Sequence, residues 1–213
     1  MSQQPSITDA VFDFGGVLLD WHPRLALEGA PGVAPDELDD LFSDDDRCGF
    51  NYFEDLRDGG MPADEVLSHY REEYDERTAD LYQLFESRWA LGLVGTIPGV
   101  EQLLDDLAHA GVRLWGLTNW AADRFVEVRR RFPELVGRLN GVIVSGEEGM
   151  VKPDPAIYAL AKRRFGLEPR STVFLDDATY NVQAAQEAGW SGIRFRCSEQ
   201  ARQELRALVP ELR

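Results

Sequence analysis

Six polar side chains in this 213-residue chain stand at or just beyond the ends of apolar runs. Val11-Phe12 leads into Asp13, Phe14, Gly15 and Gly16. Leu117 leads into Thr118 and Asn119. After the run ending at Val144 comes Gly149-Met150-Val151-Lys152-Pro153, and Phe174-Leu175 leads into Asp176 and Asp177. Carboxylates gathered at close range cannot all stay ionised without compensation. A hard divalent cation held by oxygen atoms compensates them, and Mg²⁺ suits a few carboxylates together with waters and a substrate phosphate. The Lys152 ammonium, the Thr118 hydroxyl and the Asn119 amide suit the remaining phosphate oxygens. Gly15 and Gly16 allow a tight turn and a close backbone approach to a ligand. A carboxylate beside a metal-bound phosphoryl group can act as a nucleophile. Each residue also has a plainer use. Asp13 could close a strand, Asp176 and Asp177 could cap a following helix, and Lys152 could be a solvated loop residue. Their coincidence at successive strand ends is what favours chemistry.

The elements that must position them are legible as apolar runs. Residues 10–12, 112–117, 141–144, 172–175 and 192–195 are short and rich in β-branched or aromatic residues, as strands are. Helical spacing occupies 100–107, 122–132, 155–165 and 181–188 between them. Strands alternating with helices predict an α/β fold: a Rossmann-like, doubly wound parallel sheet covered on both faces. All carboxyl ends of such a sheet lie along one edge, where ligands bind. One connection is too long. About eighty residues separate the first strand from the helix near Val100, and a parallel crossover needs only a dozen or so. That stretch shows no convincing strand run but has helical segments at 36–42, 52–56, 63–74 and 79–91, punctuated by Pro31-Gly32, Gly59-Gly60-Met61-Pro62 and Pro98-Gly99. It reads as a helical domain over 19–95, inserted into a core formed by 1–18 and 96–213.

The balance of 22 basic and 38 acidic residues leaves a formal charge of −16, which repels phosphate backbones and argues against a general nucleic-acid binder. A local cation can still attract a small anion. Cys48 and Cys197 form no spaced framework and read as free thiols of a reducing compartment. Met1-Ser2-Gln3-Gln4-Pro5 lacks the basic and apolar regions of a secretory signal. No stretch is long and apolar enough to span a membrane. The expectation is a cytoplasmic monomer or homodimer.

The order Asp, Thr-Asn, Lys-Pro, Asp-Asp, with an insertion after the first motif, resembles the haloacid-dehalogenase-like (HAD) superfamily, in particular its phosphatases with a helical cap of the C1 type. The phrasing around Leu117-Thr118-Asn119-Trp120, Val151-Lys152-Pro153-Asp154-Pro155 and Phe174-Leu175-Asp176-Asp177 is similar to bacterial sugar phosphatases and the phosphatase domain of soluble epoxide hydrolase. The resemblance spans the core motifs in order. It implies that Asp13 is the nucleophile and forms an aspartyl-phosphate, with Gly15 giving a backbone carbonyl to Mg²⁺. Thr118, Asn119 and Lys152 bind the transferring phosphoryl group, and Lys152 also neutralises the nucleophile. Asp177 is then a direct metal ligand and Asp176 a direct or water-mediated one, with Asn181 hydrogen-bonded around them.

The chain departs from that pattern at Gly15, where most such phosphatases carry a second Asp as general acid and base. Such help is typically worth ~10²–10⁴ in rate. Water or His22 could supply the proton. Trp21 and Trp120 could face the site, and Arg57 could touch substrate. The runs Asp36-Glu37-Leu38-Asp39-Asp40 and Asp44-Asp45-Asp46 read as a solvated face, Arg129-Arg130-Arg131 as an exposed helix end, and His69 and His109 as structural. The function expected is Mg²⁺-dependent hydrolysis of a small phosphate monoester, a sugar phosphate or similar metabolite. A haloacid dehalogenase needs no metal, which Asp176-Asp177 argues against. A phosphonate hydrolase needs a cap lysine, and none lies between residues 19 and 96. A non-catalytic phospho-ligand-binding protein remains the alternative from another class.

Overall fold

A computed structural model describes residues 6–212, so the N-terminal segment read above as lacking a secretory signal lies outside the described residues. The first strand, β1 (Asp9–Phe12), is buried along its whole length. A short β2 (Leu19–Trp21) precedes four helices, α1 (Pro35–Leu41), α2 (Phe50–Asp58), α3 (Ala63–Glu73) and α4 (Glu76–Arg88), after which β3 (Leu93–Thr96) returns the chain. Then follow α5 (Val100–His109), β4 (Arg113–Thr118), α6 (Ala122–Arg131), α7 (Pro133–Gly137), β5 (Gly141–Val144), α8 (Ser145–Glu148) and α9 (Pro155–Phe165). The chain closes with β6 (Thr172–Asp176), α10 (Thr179–Glu187), β7 (Ser191–Arg194) and α11 (Ser198–Arg206).

Five strands form one sheet in the order β5-β4-β1-β6-β7, and every neighbouring pair is parallel. The chain winds outward from β1 to one side through β4 and β5, then to the other through β6 and β7. The strand order therefore reverses at β1, which puts the crevice for a ligand at its carboxyl end. Successive side chains of a strand face opposite ways. Ala10 and Phe12 pack in one apolar cluster with Leu103, Leu104 and Leu107 of α5, while Val11 packs in a second with Ile157, Tyr158 and Ala161 of α9. Both faces are covered, as near-continuous apolar strands require.

The helical insertion is held by stacked rings. Phe53 lies 4.0 Å from Tyr70, and Tyr70 4.5 Å from Tyr82, centroid to centroid. These rings belong to the same apolar cluster as Phe14 and Phe125 beside the sheet. The expectation of an insertion without strands is corrected at its two ends. β2 and β3 pair antiparallel, Leu19 opposite Thr96 and Asp20 opposite Gly95. Strands this short show no readable alternation, and Asp and Gly are poor strand formers. The last helix of the insertion also starts earlier than its apolar spacing suggests, because the Asp75 carboxylate accepts the Thr78 N–H at 2.8 Å and caps it. Among the described residues no helix is long and apolar enough to cross a membrane.

Candidate active site

Parallel register brings the strand ends level. Phe12 pairs with Gly116 on one side and Leu175 on the other, and the Asp13 N–H bonds the Leu175 carbonyl at 2.9 Å. Asp13 is thereby set beside Asp176, the last residue of β6. Lys152 reaches both from the loop between α8 and α9: its Nζ lies 2.8 Å from Asp13 Oδ1 and 2.7 Å from Asp176 Oδ2. The Lys152 side chain is only 1 % exposed, so it cannot be the solvated loop residue its sequence context also allowed. Its ammonium also sits 5.5 Å from the centre of the Phe174 ring. The two carboxylates hold its pKa above the ordinary lysine value, although burial pulls the other way.

Asn181 donates from Nδ2 to both Asp176 oxygens at 3.1 Å, and the Ala178 N–H bonds Asp176 Oδ1 at 2.9 Å. Asp176 is thus tied on every side, whereas Asp177 next to it is exposed. One carboxylate oxygen from each of Asp13, Asp176 and Asp177 lies within 4.8 Å of the others. Gly16 makes this approach possible: its φ is +71°, and a Cβ there would stand 2.7 Å from Asp177 Oδ2. Burial, the strongest influence, and the neighbouring Asp176 and Asp177 charges push the Asp13 carboxyl up to about 7, against the pull of Lys152. Three carboxylates against one ammonium leave two negative charges uncompensated. The oxygen-only donor set and that excess suit a divalent cation such as Mg²⁺.

Thr118 ends β4, buried, and among the described residues its hydroxyl makes no hydrogen bond. Asn119 is more committed than its residue type suggests. Its Oδ1 accepts the Lys152 N–H at 2.7 Å and its Nδ2 donates to the Lys152 carbonyl at 2.9 Å. The amide therefore fixes the loop that carries the cation, and one amide N–H is left over for a ligand.

A cavity of about 80 Å³ opens over Asp13, lined by Gly15, Trp21, Glu54, Asp58, Asn119, Trp120 and Arg124. Trp21 and Trp120 face the site as expected, with ring centroids 5.8 Å apart. Glu54 and Asp58 of α2 and Arg124 of α6 were not singled out from the sequence, where they read as ordinary charges on amphipathic helices. Arg124 is 3 % exposed. It binds Glu54 Oε2 at 2.6 Å and Glu86 Oε1 at 2.7 Å. Arg57 reciprocates from the insertion, with 2.9 Å to Glu86 and 2.6 Å to Asp123 on α6. It does not line the cavity. Its role is a strut between α2, α4 and α6 rather than a contact to substrate. His22 is also outside the cavity lining, exposed and 2.8 Å from Asp20. Of the arginines ending α6, Arg131 is not simply solvated, since it donates to the Leu93 carbonyl at 2.9 Å. In the acidic run, Asp46 accepts the Asn51 and Tyr52 N–H groups and caps α2.

A family model described as haloacid dehalogenase-like hydrolase matches residues 10–189. The chain is 27 % identical over 208 residues to the sesquiterpene phosphatase astK of Aspergillus oryzae, covering 94 % of this chain and 95 % of that protein. It is 28 % identical over 188 residues to a phosphorylated carbohydrates phosphatase of Thermotoga maritima, covering 84 % and 80 %. Among solved structures, the magnesium complex of a HAD-family enzyme from Bacteroides thetaiotaomicron superposes with a TM-score of 0.72 at 20 % identity, covering 95 % of this chain and all of that one. That last likeness speaks for the fold alone.

Proposed function

This chain belongs to the haloacid dehalogenase-like hydrolase family and is a phosphatase of it, and we propose that it uses Mg²⁺ to hydrolyse a small phosphate monoester through an aspartyl-phosphate. The observation that carries this reading is the buried Lys152 ammonium bridging Asp13 and Asp176, with Asp177 close enough to complete a three-carboxylate cation site. A sugar phosphate or similar metabolite is the substrate class, in line with the carbohydrate-phosphate relative. In this reading residues 19–95 cap a core made of 1–18 and 96–213.

Asp13, Asp177, the Gly15 carbonyl and Asp176, directly or through water, would hold the ion. When bound, Mg²⁺ supplies charge neutralisation at the phosphoryl oxygens. Asp13 attacks phosphorus, the alcohol leaves, and water then cleaves the acyl phosphate. Lys152 offsets negative charge on the nucleophile and on the transferring group, and Thr118 and Asn119 orient that group. The cavity is far smaller than the ~300–1,000 Å³ of sites for drug-sized ligands. The cavity therefore takes the phosphoryl group and the atoms next to it, and the substrate's body extends beyond it.

The test is phosphate release from an aryl phosphate and a panel of sugar phosphates, each with Mg²⁺ and with chelator, beside Asp13→Asn. Release that needs Mg²⁺ and is lost in the variant is expected. A wild type silent on every ester, yet binding phosphate when Mg²⁺ is present, would instead make this a phospho-ligand-binding protein.

A further inference from the structure

An alkyl phosphate expels an oxygen that leaves well only when it is protonated. Residue 15, two beyond Asp13, is glycine and holds no proton to give. The walls of the cavity narrow the choice of donor. Trp21 and Trp120 have indole N–H groups that do not serve as acids, and Arg124 stays charged, committed to Glu54 and Glu86. Glu54 accepts from Arg124 at 2.6 Å and from the Tyr82 hydroxyl at 2.8 Å, so both of its oxygens are already committed to donors. Asn119 is engaged with the Lys152 backbone. Among the described residues of the lining, Asp58 is the titratable group left.

Its surroundings favour the protonated carboxyl. Asp58 Oδ1 is shut off from solvent and has no hydrogen-bond partner. That is a costly state for a charged oxygen, and protonation, which removes the charge, relieves much of it. Burial, the strongest influence, and the negative Glu54 hold its pKa well above the carboxylate range, against the pull of Arg124 and of a hydrogen bond from the Ala121 backbone. The backbone here is also fixed to the core. Ser145 Oγ donates to the Asp58 carbonyl at 2.6 Å and accepts the Trp120 N–H at 2.8 Å, tying the last turn of α2 to the segment that follows Thr118 and Asn119. The next turn is pressed against α8: Gly60 has a φ of +98°, and a Cβ there would lie 3.1 Å from the Gly146 carbonyl oxygen.

We propose that Asp58 is the general acid and base of this phosphatase, supplied by α2 to the cavity that Asp13 also lines. The proposal rests on the phosphatase reading above. In the first step an Asp13 oxygen bonds to phosphorus and the phosphorus–ester oxygen bond breaks. The leaving oxygen keeps the electron pair and takes the Asp58 proton. In the second, the Asp58 carboxylate takes a proton from water as the water oxygen bonds to phosphorus. The bond from phosphorus to Asp13 breaks, which returns Asp13 as carboxylate and Asp58 as acid and releases inorganic phosphate.

Asp58→Asn is compared with wild type on 4-nitrophenyl phosphate, whose phenolate leaves without a proton, and on the best alkyl phosphate of the panel. Loss of a general acid lowers kcat/KM on the alkyl ester by ~10²–10⁴-fold and on the aryl ester by less than ~10-fold. Inhibition by inorganic phosphate stays the same, which shows an intact site. Equal losses on the two esters, or unchanged turnover of the alkyl ester, overturn the proposal. If Asp58→Asn does not fold, Asp58→Ser is put through the same comparison and decides it. A wild type that hydrolyses neither ester overturns the phosphatase reading itself, which is distinct from an active wild type whose variant keeps the alkyl-to-aryl ratio.

Discussion

Replacing Asp13 with its isostere should stabilise the metal-free protein, by an amount that grows with pH. In the folded chain this carboxyl titrates near 7, against 3.8 for an ordinary Asp, because burial outweighs the attraction of Lys152 and because Asp176 and Asp177 add to it. Between those two values the folded state keeps a proton that the unfolded state has lost, so stability falls as pH rises through the window. At 1.36 kcal/mol per pH unit, the full cost at pH 8 is about 4 kcal/mol. Part of it is already present at pH 5, so the wild type loses about 2–3 kcal/mol between pH 5 and 8 through this group alone. Asp13→Asn keeps an acceptor oxygen for Lys152 but carries no charge to bury, and Lys152 retains Asp176 as its counter-ion at 2.7 Å. Urea unfolding in chelator should show the variant gaining about 2–3 kcal/mol on the wild type between pH 5 and 8. Mg²⁺ added at pH 8 should raise the wild-type midpoint and move the variant's little, since an ion that binds only the folded state stabilises it. Stability–pH curves that run parallel for the two proteins would refute the reasoning.

Three further perturbations probe the same edge of the sheet. Lys152→Met leaves two buried carboxylates without their cation; it should cost ~3–5 kcal/mol in urea unfolding with chelator at pH 8 and abolish phosphate release. Arg124→Met removes the guanidinium from Glu54 and leaves Glu86 to Arg57 alone, and should cost a similar ~3–5 kcal/mol. Arg124→Lys should recover less than half of that, because one ammonium cannot copy a guanidinium that meets two carboxylates. Hydrogen exchange in α2 and α4 should rise in both variants. Gly16→Ala places a Cβ at a left-handed φ and 2.7 Å from Asp177 Oδ2, so it should lose ~1–2 kcal/mol of stability and weaken Mg²⁺ binding in calorimetric titration.

Much of this architecture is legible in the sequence. The parallel strands announce themselves as apolar runs because both faces of the sheet are covered, and the residues that end them sit at one edge because parallel strands all point the same way. The antiparallel ribbon of β2 and β3 is not legible, since strands of three and four residues carry no period to read. Nor are the roles of the charged helix residues. Arg57 and Arg124 look like any solvent-facing arginine until tertiary packing sets them against Glu54, Glu86 and Asp123, which are distant in the chain. Asn119 reads as a phosphate ligand by type, yet most of its hydrogen-bonding capacity is spent on the Lys152 backbone, 33 residues away.

The sequence by itself determined the winding of the sheet, the order of its motifs and the identity of the charged groups at its edge, because strand direction and length follow from local pattern. Only the tertiary structure decided what those groups feel. Asp13 is raised and Lys152 enclosed through burial and through neighbours on β6, and Asp58 comes to the cavity because Ser145 and the Gly60 turn hold α2 against the core. Electrostatic environment depends on distances across the fold and on exclusion of water. Neither is a property of any one segment of chain.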